Sequence, residues 1–415
     1  MPRVGVIGAG IAGVAAALEA ARMGARVTLF EASRQIPSRR SSWPSILSSG
    51  GPPGREQVEV LTGNGVEVSL GQSVAGVDSG PRLKVRGSAS QFDAVVLATG
   101  SRAAPEPLPG GTKTGVHVLD SEEGFIRLKE SARGYQVVAV YGSGVAAAEV
   151  AERLHALGIL VFLLSPSGLF SSQLSEGPRS LLLAAADSLG IRVFDSKPQK
   201  VVGVDRVEAV VASGDVHPCD GFIVLPRVEP APPATLAKVG RYGGVVVADS
   251  MNSSQPGVFA AGDCAEVVTG STTMTMMSDS SALAMGRVAG ANVAGAHKTA
   301  KVTGSYTKKV FGLWVASSGL TIAEASVAGL AAFEASWMRE GRVACSLVVE
   351  RGTTAVLGAQ LVGRDADLFA DSLSLAVSAG LNLEQLAYAE TSSPSDISPI
   401  VETAREALRK EMGNQ

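Results

Sequence analysis

Short apolar segments alternate with alanine-rich segments at the start of the chain. Val4–Ile7 has the composition of a buried strand, and the glycine-rich stretch Gly8–Gly13 follows it directly. The alanine-rich stretch that comes next predicts a helix running to Met23 and ending at Gly24. Arg26–Phe30 alternates apolar and polar residues and predicts a second strand. This order of strand, glycine turn, helix and strand predicts an α/β fold around a parallel sheet.

The same pattern returns further along the chain. Val137–Tyr141 leads into the glycine-rich stretch Gly142–Ala147, a predicted helix to Leu157 and a predicted strand at Ile159–Leu164. In both copies the first glycine precedes the helix-ending glycine by 16 residues and the residue after the second strand by 23. Ala147 replaces the third glycine, which is a permitted variant. The repeat predicts two Rossmann-like dinucleotide-binding domains.

Each position of the first glycine turn has a physical role. Gly8 allows the tight turn, Gly10 lets a pyrophosphate approach the backbone N–H groups, and Gly13 permits close packing of helix and strand. Glu31, at the end of the second strand, can accept hydrogen bonds from ribose hydroxyls. Two such sites in one chain indicate a flavin and a nicotinamide nucleotide, with hydride passing between them.

Two further strand ends support this interpretation. Phe92–Ser101 predicts a strand that ends in Ala98-Thr99-Gly100. Gly257–Glu266 predicts a strand that presents Gly262 and Asp263 to a following helix. A carboxylate there can bind the ribityl chain of a flavin, and a helix N-terminus can face its phosphates.

Composition limits the class of protein. The 415 residues are 46% hydrophobic and 18% charged with a net charge of −3, which predicts a globular chain of two or three domains. The balance of charge gives no basis for binding nucleic acid or an anionic membrane surface. The longest apolar run, Ile159–Leu164, is far below the ~18 residues of a membrane span. Three widely spaced cysteines predict neither a disulfide framework nor a metal site, so we expect a cytosolic protein.

Taken together, these motifs resemble the pyridine nucleotide–disulfide oxidoreductases over nearly the whole chain. The segments Lys309–Ala325 and Leu386–Ile400 are similar to the C-terminal domain of the branch that holds coenzyme A-disulfide reductases, NADH oxidases, NADH peroxidases and polysulfide reductases. The resemblance implies an FAD domain in two parts, an inserted NAD(P) domain and a C-terminal α/β domain that forms a homodimer. We place these domains at 1–112 and 239–302, at 113–238 and at 303–415.

The resemblance also implies which residues contact the cofactors. Those expected to contact FAD are Gly8, Gly10, Ile11, Ala12, Gly13, Glu31, Ala32, Arg40, Ser41, Val74, Ala98, Thr99, Gly100, Gly262, Asp263, Ser281 and Ala282. Those expected to contact NADH or NADPH are Gly142, Ser143, Gly144, Val145, Ala146, Ser165 and Arg227.

The segment after the first unit departs from the family. Members of this branch carry a Cys-Gly-x-Pro segment that puts a redox-active cysteine beside the flavin. Pro44 fits the proline, which puts Ser41 at the cysteine position. A hydroxyl cannot form a persulfide, a sulfenate or a disulfide, so the disulfide-reducing part of the chemistry is lost. An engineered Cys→Ser variant would have the same sequence. Arg40 either pairs with a phosphate or is solvated.

No other residue replaces that cysteine convincingly. Cys264 follows Asp263, and we interpret it as structural. The four histidines all precede the C-terminal domain, so the His–Glu dyad of glutathione reductase-type members is absent. Tyr388 matches a tyrosine of the coenzyme A branch, but the residues that follow it differ, so it is either a substrate contact or interface packing.

The second unit is also unusual. Glu149 matches a carboxylate that, in the family, approaches the nicotinamide and pairs with a lysine or orients the ring; the alternative is a helix-surface charge. Ser165 stands where an acid would select NADH, and Pro166–Gly168 adds no positive charge that would select NADPH. Arg227 stands where the family has a glycine, and it either binds a phosphate or crowds the cleft.

The sequence thus predicts an FAD-dependent NAD(P)H oxidoreductase that lacks the redox cysteine. Hydride would pass from the nicotinamide to the flavin, and electrons would then pass directly to oxygen, a quinone or a small electron carrier. Two alternatives stay open: a reductase of coenzyme A disulfide or polysulfide, and a non-catalytic flavoprotein with a degenerate nicotinamide site.

Overall fold

A computed structural model describes residues 1–37, 40–47, 56–85, 88–104, 106–339, 341–391 and 398–413. The chain forms two compact units, each assembled from separate stretches of sequence. The first unit comprises 1–42, 52–104 and 228–304. The second comprises 43–51, 105–227 and 305–415.

In chain order, the described residues in the first part of unit 1 form these strands and α-helices: β1 (Arg3–Ile7), α1 (Ile11–Arg22), β2 (Arg26–Glu31), α2 (Glu56–Gly63), β3 (Glu67–Leu70), β4 (Val74–Asp78), β5 (Arg82–Val85), β6 (Ser88–Gln91), β7 (Ala94–Leu97) and β8 (Ser101–Ala104). A 3₁₀ helix, Arg40–Leu47, lies between β2 and α2.

Unit 2 then adds β9 (Val116–Val118), α3 (Glu122–Ala132), β10 (Val137–Tyr141), α4 (Val145–His155), β11 (Leu160–Leu164), α5 (Glu176–Ser188), β12 (Arg192–Phe194), β13 (Pro198–Val202), β14 (Ala209–Ala212), β15 (Asp215–Pro218) and β16 (Gly221–Val224). The chain returns to unit 1 through β17 (Arg227–Pro230), β18 (Val245–Val247), β19 (Val258–Ala260), β20 (Ala265–Thr269), β21 (Thr272–Met274) and α6 (Asp279–Val293). It ends in unit 2 with β22 (Tyr306–Val310), β23 (Leu313–Gly319), α7 (Ile322–Val327), β24 (Ala332–Arg339), β25 (Val343–Glu350), β26 (Val356–Gly363), α8 (Ala370–Ala379), α9 (Leu383–Ala387) and α10 (Pro399–Gly413).

Unit 1 is built on a parallel five-stranded sheet in the order β19-β7-β1-β2-β3. Its apolar residues are continuous along β1 and β7, as expected for strands covered on both faces. Helices α1 and α6 pack closely together because Gly286 and Gly290 of α6 lie against the carbonyl oxygens of Ala12 and Ala16. A side chain at either glycine would separate the two helices.

Unit 2 contains a second parallel sheet, in the order β12-β11-β10-β16-β9. The antiparallel strands β13, β14 and β15 connect β12 to β16 and cover one face of this sheet with a small apolar cluster. The last part of the unit is an antiparallel sheet in the order β22-β23-β26-β25-β24, against which α5 and α10 pack.

The predicted fold class is confirmed. The sequence was expected to present Asp263 to a following helix, and the next α-helix is α6. A single 3₁₀ turn, Gly262–Cys264, and the hairpin β20–β21, which the sequence analysis did not identify, precede α6. The β-branched residues of Ala265–Thr269 explain the difference, because they suit a strand that pairs with β18 and β21.

Candidate functional site

The first glycine turn leaves room for a phosphate group. Gly8 has a φ of +98°, and its N–H donates to the carbonyl of Phe30 at 2.8 Å, which closes the turn between β1 and β2. Gly10 is the N-cap residue of α1, and a Cβ at this position would meet no atom within 4 Å. The N–H groups of the first helical turn have no intrahelical acceptors, so they are available to a pyrophosphate in this open space.

Glu31 is tied to this turn by its carboxylate. The side chain is buried; Oε2 accepts the N–H of Ala9 at 2.9 Å and Oε1 accepts the N–H of Ser33 at 2.8 Å. Each carboxylate oxygen has a second lone pair, which can accept a ribose hydroxyl. Glu31 therefore holds the turn in shape and can also bind a nucleotide. Its neighbour Ala32 is exposed.

Three other segments converge on the first turn. The carbonyl oxygen of Ala98 packs directly against Gly8, and the Ala98 methyl group lies 3.3 Å from where a Cβ of Gly13 would be. Gly262 lies against Ala12, so that a Cβ at position 262 would come within 2.9 Å of the Ala12 methyl group. The same Cβ would lie 3.6 Å from Ala282, near the start of α6. Four predicted FAD-binding segments, distant in sequence, thus meet in one place.

The polar side chains of these segments form hydrogen bonds within unit 1. Asp263 accepts a hydrogen bond from the Ser101 hydroxyl at 2.8 Å. Thr99 donates its hydroxyl to the carbonyl of Ala231 at 2.7 Å, and Gly100 turns the chain with a φ of +70°. The buried Ser281 hydroxyl accepts the N–H of Gly304 at 3.1 Å. The arrangement fits FAD, because segments that carry a glycine turn open at Gly10, a helix N-terminus and the Asp263 carboxylate meet in unit 1.

Ser41 and Arg40 begin the 3₁₀ helix Arg40–Leu47, and their side chains lie outside the described part of the structure. The expectation that Ser41 faces the flavin therefore stays a prediction. Trp43, two residues further on, packs on Phe125 in unit 2 with ring centroids 6.0 Å apart. Val74 begins β4 and packs against the core of unit 1.

All three cysteines are buried, and none forms a disulfide. Burial raises the pKa of the Cys219 thiol and of the Cys345 thiol to about 12. Burial also raises the pKa of Cys264, whose Sγ lies 3.3 Å from the carbonyl oxygen of Leu97. A thiol needs its thiolate form and access to substrate to exchange electrons. These three residues fit a structural role.

We expect the native protein to resist thiol reagents. A chromogenic disulfide reagent should modify well under one thiol per chain in native protein and about three per chain after denaturation, since thiolate fraction and access control the reaction. Rapid modification of any thiol in the native state would contradict the structural role of the cysteines.

A glutamine side chain lies against the second glycine turn, whereas the first turn is open at Gly10. Gly144 is the N-cap residue of α4, and the Gln173 amide lies 3.0–3.4 Å from where its Cβ would be. The Gln173 Oε1 atom is buried without a hydrogen-bond partner. The N–H of Phe170 donates to the carbonyl of Ser143 at 2.8 Å, which fastens the loop after β11 to the turn. An amide oxygen accepts hydrogen bonds, so a hydroxyl or amide N–H of a bound dinucleotide, and not its pyrophosphate, could complete the bonding of Gln173 Oε1.

The remaining predicted nicotinamide contacts differ in exposure. Val145 is buried at the start of α4, whereas Ala146 is exposed. Ser165 is fully buried at the end of β11, and its hydroxyl has no hydrogen-bond partner. Arg227 begins β17. Arg227 and Ala146 are exposed, whereas Val145 and Ser165 are buried. Direct contact of these residues with a dinucleotide stays a prediction.

Glu149 lies one turn into α4 and faces a lysine. Its Oε1 is 3.6 Å from the Nζ of Lys308 on β22, and the side chains are 11% and 29% exposed. Burial raises the pKa of the Glu149 carboxyl, and the positive charges of Lys308 and Arg153 partly offset this effect. The family resemblance implied that this carboxylate pairs with a lysine or orients the nicotinamide ring, and it did not identify the lysine.

Burial of the Glu149 carboxyl predicts a pH dependence of stability. Because burial raises the pKa of Glu149 on folding, the protonated carboxyl adds to the free energy of unfolding at low pH, and this contribution is lost as pH rises through the folded pKa. As pH rises from acid to neutral, the melting temperature of the wild type should therefore fall relative to that of Glu149→Gln. A rise of the wild-type melting temperature relative to that of the variant would show that the attraction of Lys308 outweighs the effect of burial.

Tyr388 lies at the C-terminal end of α9 and is 79% exposed. It is therefore available to a partner or a substrate and does not contribute to the core of unit 2. Among the described residues, no cluster of His, Cys, Asp and Glu has the geometry of a metal site. Within the same ranges, no helix combines the length and hydrophobicity needed to cross a bilayer.

Comparison with known proteins identifies the family. Residues 2–295 match the pyridine nucleotide-disulphide oxidoreductase family, and residues 307–402 match its dimerisation domain. An NADH oxidase of Methanocaldococcus jannaschii is 31% identical over 77% of this chain and 76% of its own length. The ferredoxin reductase component of a chlorobenzene dioxygenase from Cupriavidus sp. is 30% identical over 63% of this chain and 67% of its own.

Among solved structures, an NAD-dependent persulfide reductase from A. fulgidus superposes with a TM-score of 0.85 at 25% identity, covering 99% of this chain and 84% of the other. The predicted fold, enzyme class and cofactors are confirmed by these matches. The chain belongs to the pyridine nucleotide-disulphide oxidoreductase family and is an FAD-dependent NAD(P)H oxidoreductase.

Proposed function

We propose that this enzyme passes electrons from NAD(P)H through FAD directly to an acceptor, without a redox-active cysteine. One observation carries the proposal: the three cysteines are buried, and their pKa values are raised. Ser41 occupies the position expected for the cysteine, and a hydroxyl cannot store electrons as sulfur does. The flavin is then the last redox group of the protein.

Unit 1 would bind and orient FAD. The open space at Gly10 accommodates the pyrophosphate against the N-terminus of α1, and Glu31 accepts the ribose hydroxyls. Asp263, positioned by Ser101, would bind the ribityl hydroxyls. When bound, FAD supplies the two-electron chemistry with the nicotinamide. The remaining predicted contacts, among them Ala32, Arg40, Val74 and Ala282, would surround it.

The second unit would bind the reductant. The Gly142–Gly144 turn and the N-terminus of α4 suit a pyrophosphate, and the Gln173 amide can donate to it. Glu149 would orient the nicotinamide end, with Lys308 balancing its charge. All of these residues belong to unit 2.

The acceptor would be oxygen, a quinone or a small electron carrier. Oxygen and quinones can react with reduced flavin without a protein thiol. One relative is named an NADH oxidase and another a ferredoxin reductase component, which supports this range of acceptors.

A second candidate is reduction of coenzyme A disulfide or polysulfide. It is favoured by the match to a persulfide reductase over 99% of this chain. Such a reaction would need direct transfer from flavin to the sulfur substrate, or a natural enzyme in which Ser41 has replaced the cysteine. Tyr388 would then contact the substrate.

A third candidate is a non-catalytic flavoprotein. Ser165 is buried, and the Gln173 side chain packs on Gly144. If Gln173 blocks the second turn rather than serving it, NAD(P)H would not bind.

We further propose a cytosolic homodimer formed through the C-terminal domain. The match to a dimerisation domain supports the dimer, as do the exposed apolar side chains of Leu368, Leu375 and Tyr388. The wide spacing of the three cysteines along the chain supports a reducing compartment.

Anaerobic mixing with NADH and with NADPH tests the first step. We expect at least one nucleotide to bleach the flavin absorbance within seconds. Bleaching by neither, in protein that dithionite does reduce, would support the non-catalytic alternative and overturn the proposal.

Mixing the reduced enzyme with separate acceptors tests the second step. Oxygen, a quinone or a one-electron carrier should reoxidise the flavin faster than coenzyme A disulfide or polysulfide does. Ser41→Cys is the matched variant, because restoring the thiol should add disulfide turnover if Ser41 lies beside the flavin. Faster reoxidation of the wild type by the sulfur substrates would instead establish the sulfur reductase.

A further inference from the structure

The two glycine turns of the chain differ at their second glycine. Gly10 and Gly144 correspond in position, because each is the N-cap residue of the helix that follows a parallel strand. A Cβ at Gly10 would meet no atom within 4 Å, whereas a Cβ at Gly144 would lie 3.0 Å from Oε1 and 3.2 Å from Nε2 of Gln173. A pyrophosphate approaches the backbone of such a turn at this glycine. An amide therefore fills, in the second unit, the place that is open in the first.

The backbone that carries this amide is fastened to the turn. The N–H of Phe170 donates to the carbonyl of Ser143 at 2.8 Å, and the N–H groups of Gln173 and Leu174 both donate to the carbonyl of Phe170, at 3.0 and 2.9 Å. Phe170 and Leu174 are buried in the core of unit 2. Uncovering of Gly144 therefore needs only a rotation of the Gln173 side chain, with the loop left in place.

Phe170 is held in an unfavourable backbone conformation. Its φ is +62°, in the left-handed region that residues with a Cβ rarely adopt. The side chain is fully buried and packs in the same apolar cluster as Leu169 and Leu174. Backbone strain of this kind persists only where the surrounding packing maintains it, and it is concentrated at functional sites. Here the strained residue holds Gln173 against the turn.

The inward position of the Gln173 side chain is not locked by a hydrogen bond to its oxygen. The Oε1 atom is buried, and no group in the described part of the chain donates to it. A buried acceptor without a donor is unfavourable, and rotation of the amide into water would relieve this. Packing against Gly144 thus favours the inward position, whereas hydration of the amide favours an outward one.

We propose that Gln173 is a gate on the second glycine turn: its side chain covers Gly144 and rotates outward when the pyrophosphate of the nicotinamide nucleotide binds. The inference rests on the proposed use of unit 2 as the nicotinamide-nucleotide site. The NH₂ group of Gln173 can donate to the pyrophosphate only from the outward position. Because only molecules with an outward side chain are competent to bind, the gate lowers the apparent affinity for the nucleotide.

Calorimetric titration of FAD-loaded protein with ADP-ribose, which carries the pyrophosphate, tests the gate. Gln173→Ala removes the side chain that covers Gly144, so ADP-ribose should bind about fivefold more tightly or better. Gln173→Met keeps the length of the side chain but has no amide for water to stabilise outside, so ADP-ribose should bind about threefold more weakly or worse. Opposite shifts at one position cannot result from a general loss of structure.

Flavin reduction provides a second measurement of the same variants. With the nicotinamide nucleotide that reduces the flavin, Gln173→Ala should lower the half-saturating concentration in parallel with the ADP-ribose affinity. The limiting rate at saturation should stay within about twofold of wild type, because the gate acts on binding and not on hydride transfer.

Gln136→Ala is the matched control. It removes the same type of side chain from an exposed position just before β10, at the opposite end of this strand from Gly142, and it should leave the ADP-ribose affinity unchanged. Unchanged binding in Gln173→Ala would overturn the inference. Weaker binding in Gln173→Ala would overturn it as well, because the amide would then be a phosphate contact and not a cover.

Two further outcomes would overturn the gate. One is equal tightening by Gln173→Ala and Gln173→Met, since the bulk at position 173 would then be irrelevant. The other is a failure of ADP-ribose to bind to any of the proteins. Failure of the proposed function is distinguishable, because NAD(P)H would then leave the flavin oxidised in every variant while the ADP-ribose affinities still differ as stated.

Discussion

Gly13→Ala is expected to yield protein that has lost its FAD. A methyl group at position 13 would overlap the carbonyl oxygen of Gly8, so α1 would have to move away from the turn that follows β1. Overpacking of this kind costs about 3 kcal/mol or more when backbone blocks relief. We expect flavin content below about a tenth of wild type and a lower melting temperature. Absorbance spectra and thermal melts of purified protein measure both.

Gly10→Ala is the matched control in the same turn. Gly10 has a φ of −72°, and a Cβ there meets no atom within 4 Å, so the apoprotein should melt as wild type does. The added methyl group would instead enter the space assigned to the pyrophosphate and raise the FAD dissociation constant by about tenfold or more. Wild-type affinity for FAD in Gly10→Ala would contradict the placement of the cofactor.

Gly144→Leu is expected to separate flavin binding from flavin reduction. The backbone at Gly144 has a φ of −118°, which any residue can adopt, and the nearest group is the end of the flexible Gln173 side chain. The fold should therefore be retained while the leucine fills the approach to the second turn. We expect full FAD content and a rate of flavin reduction by NAD(P)H lowered by about a hundredfold, as misplacement of a reactant commonly does.

Two controls make this result specific. Dithionite should reduce the flavin of Gly144→Leu and of wild type at the same rate, because it does not use the nucleotide site. Gln173→Ala should retain flavin reduction within about tenfold, which shows that displacement of Gln173 alone does not account for the loss. If Gly144→Leu is reduced normally by NAD(P)H, the reductant does not bind at this turn.

The arrangement of the two glycine turns was predictable from sequence. Strand, turn, helix and strand are local patterns, and their spacing recurs at Gly8 and at Gly142. The predicted strand Val137–Tyr141 and the observed β10 have the same bounds. The β-branched residues after Asp263 favour a strand, but the hairpin itself depends on pairing of β20 with β18 and with β21, which local propensity does not predict.

The partners of the site residues were not predictable in the same way. Lys308 lies 159 residues after Glu149, and Arg179 comes to Gly168 from the following helix. Neither contact follows from periodicity, because each depends on how helices and strands pack in three dimensions. The loop Pro166–Gly168 contains no charged residue, whereas in the fold the guanidinium group of Arg179 packs on Gly168.

The most direct test of electron transfer without a protein thiol is a count of electrons. Anaerobic titration of the purified holoenzyme with dithionite measures how many electrons are accepted per bound FAD, by the flavin and by any redox-active residue of the protein together. A flavin alone accepts about two electrons, and a flavin with a redox-active sulfur accepts about four. We predict about two per FAD in the wild type. A value near four would contradict the account, because it would require a second redox group that Ser41 and the three buried cysteines cannot supply.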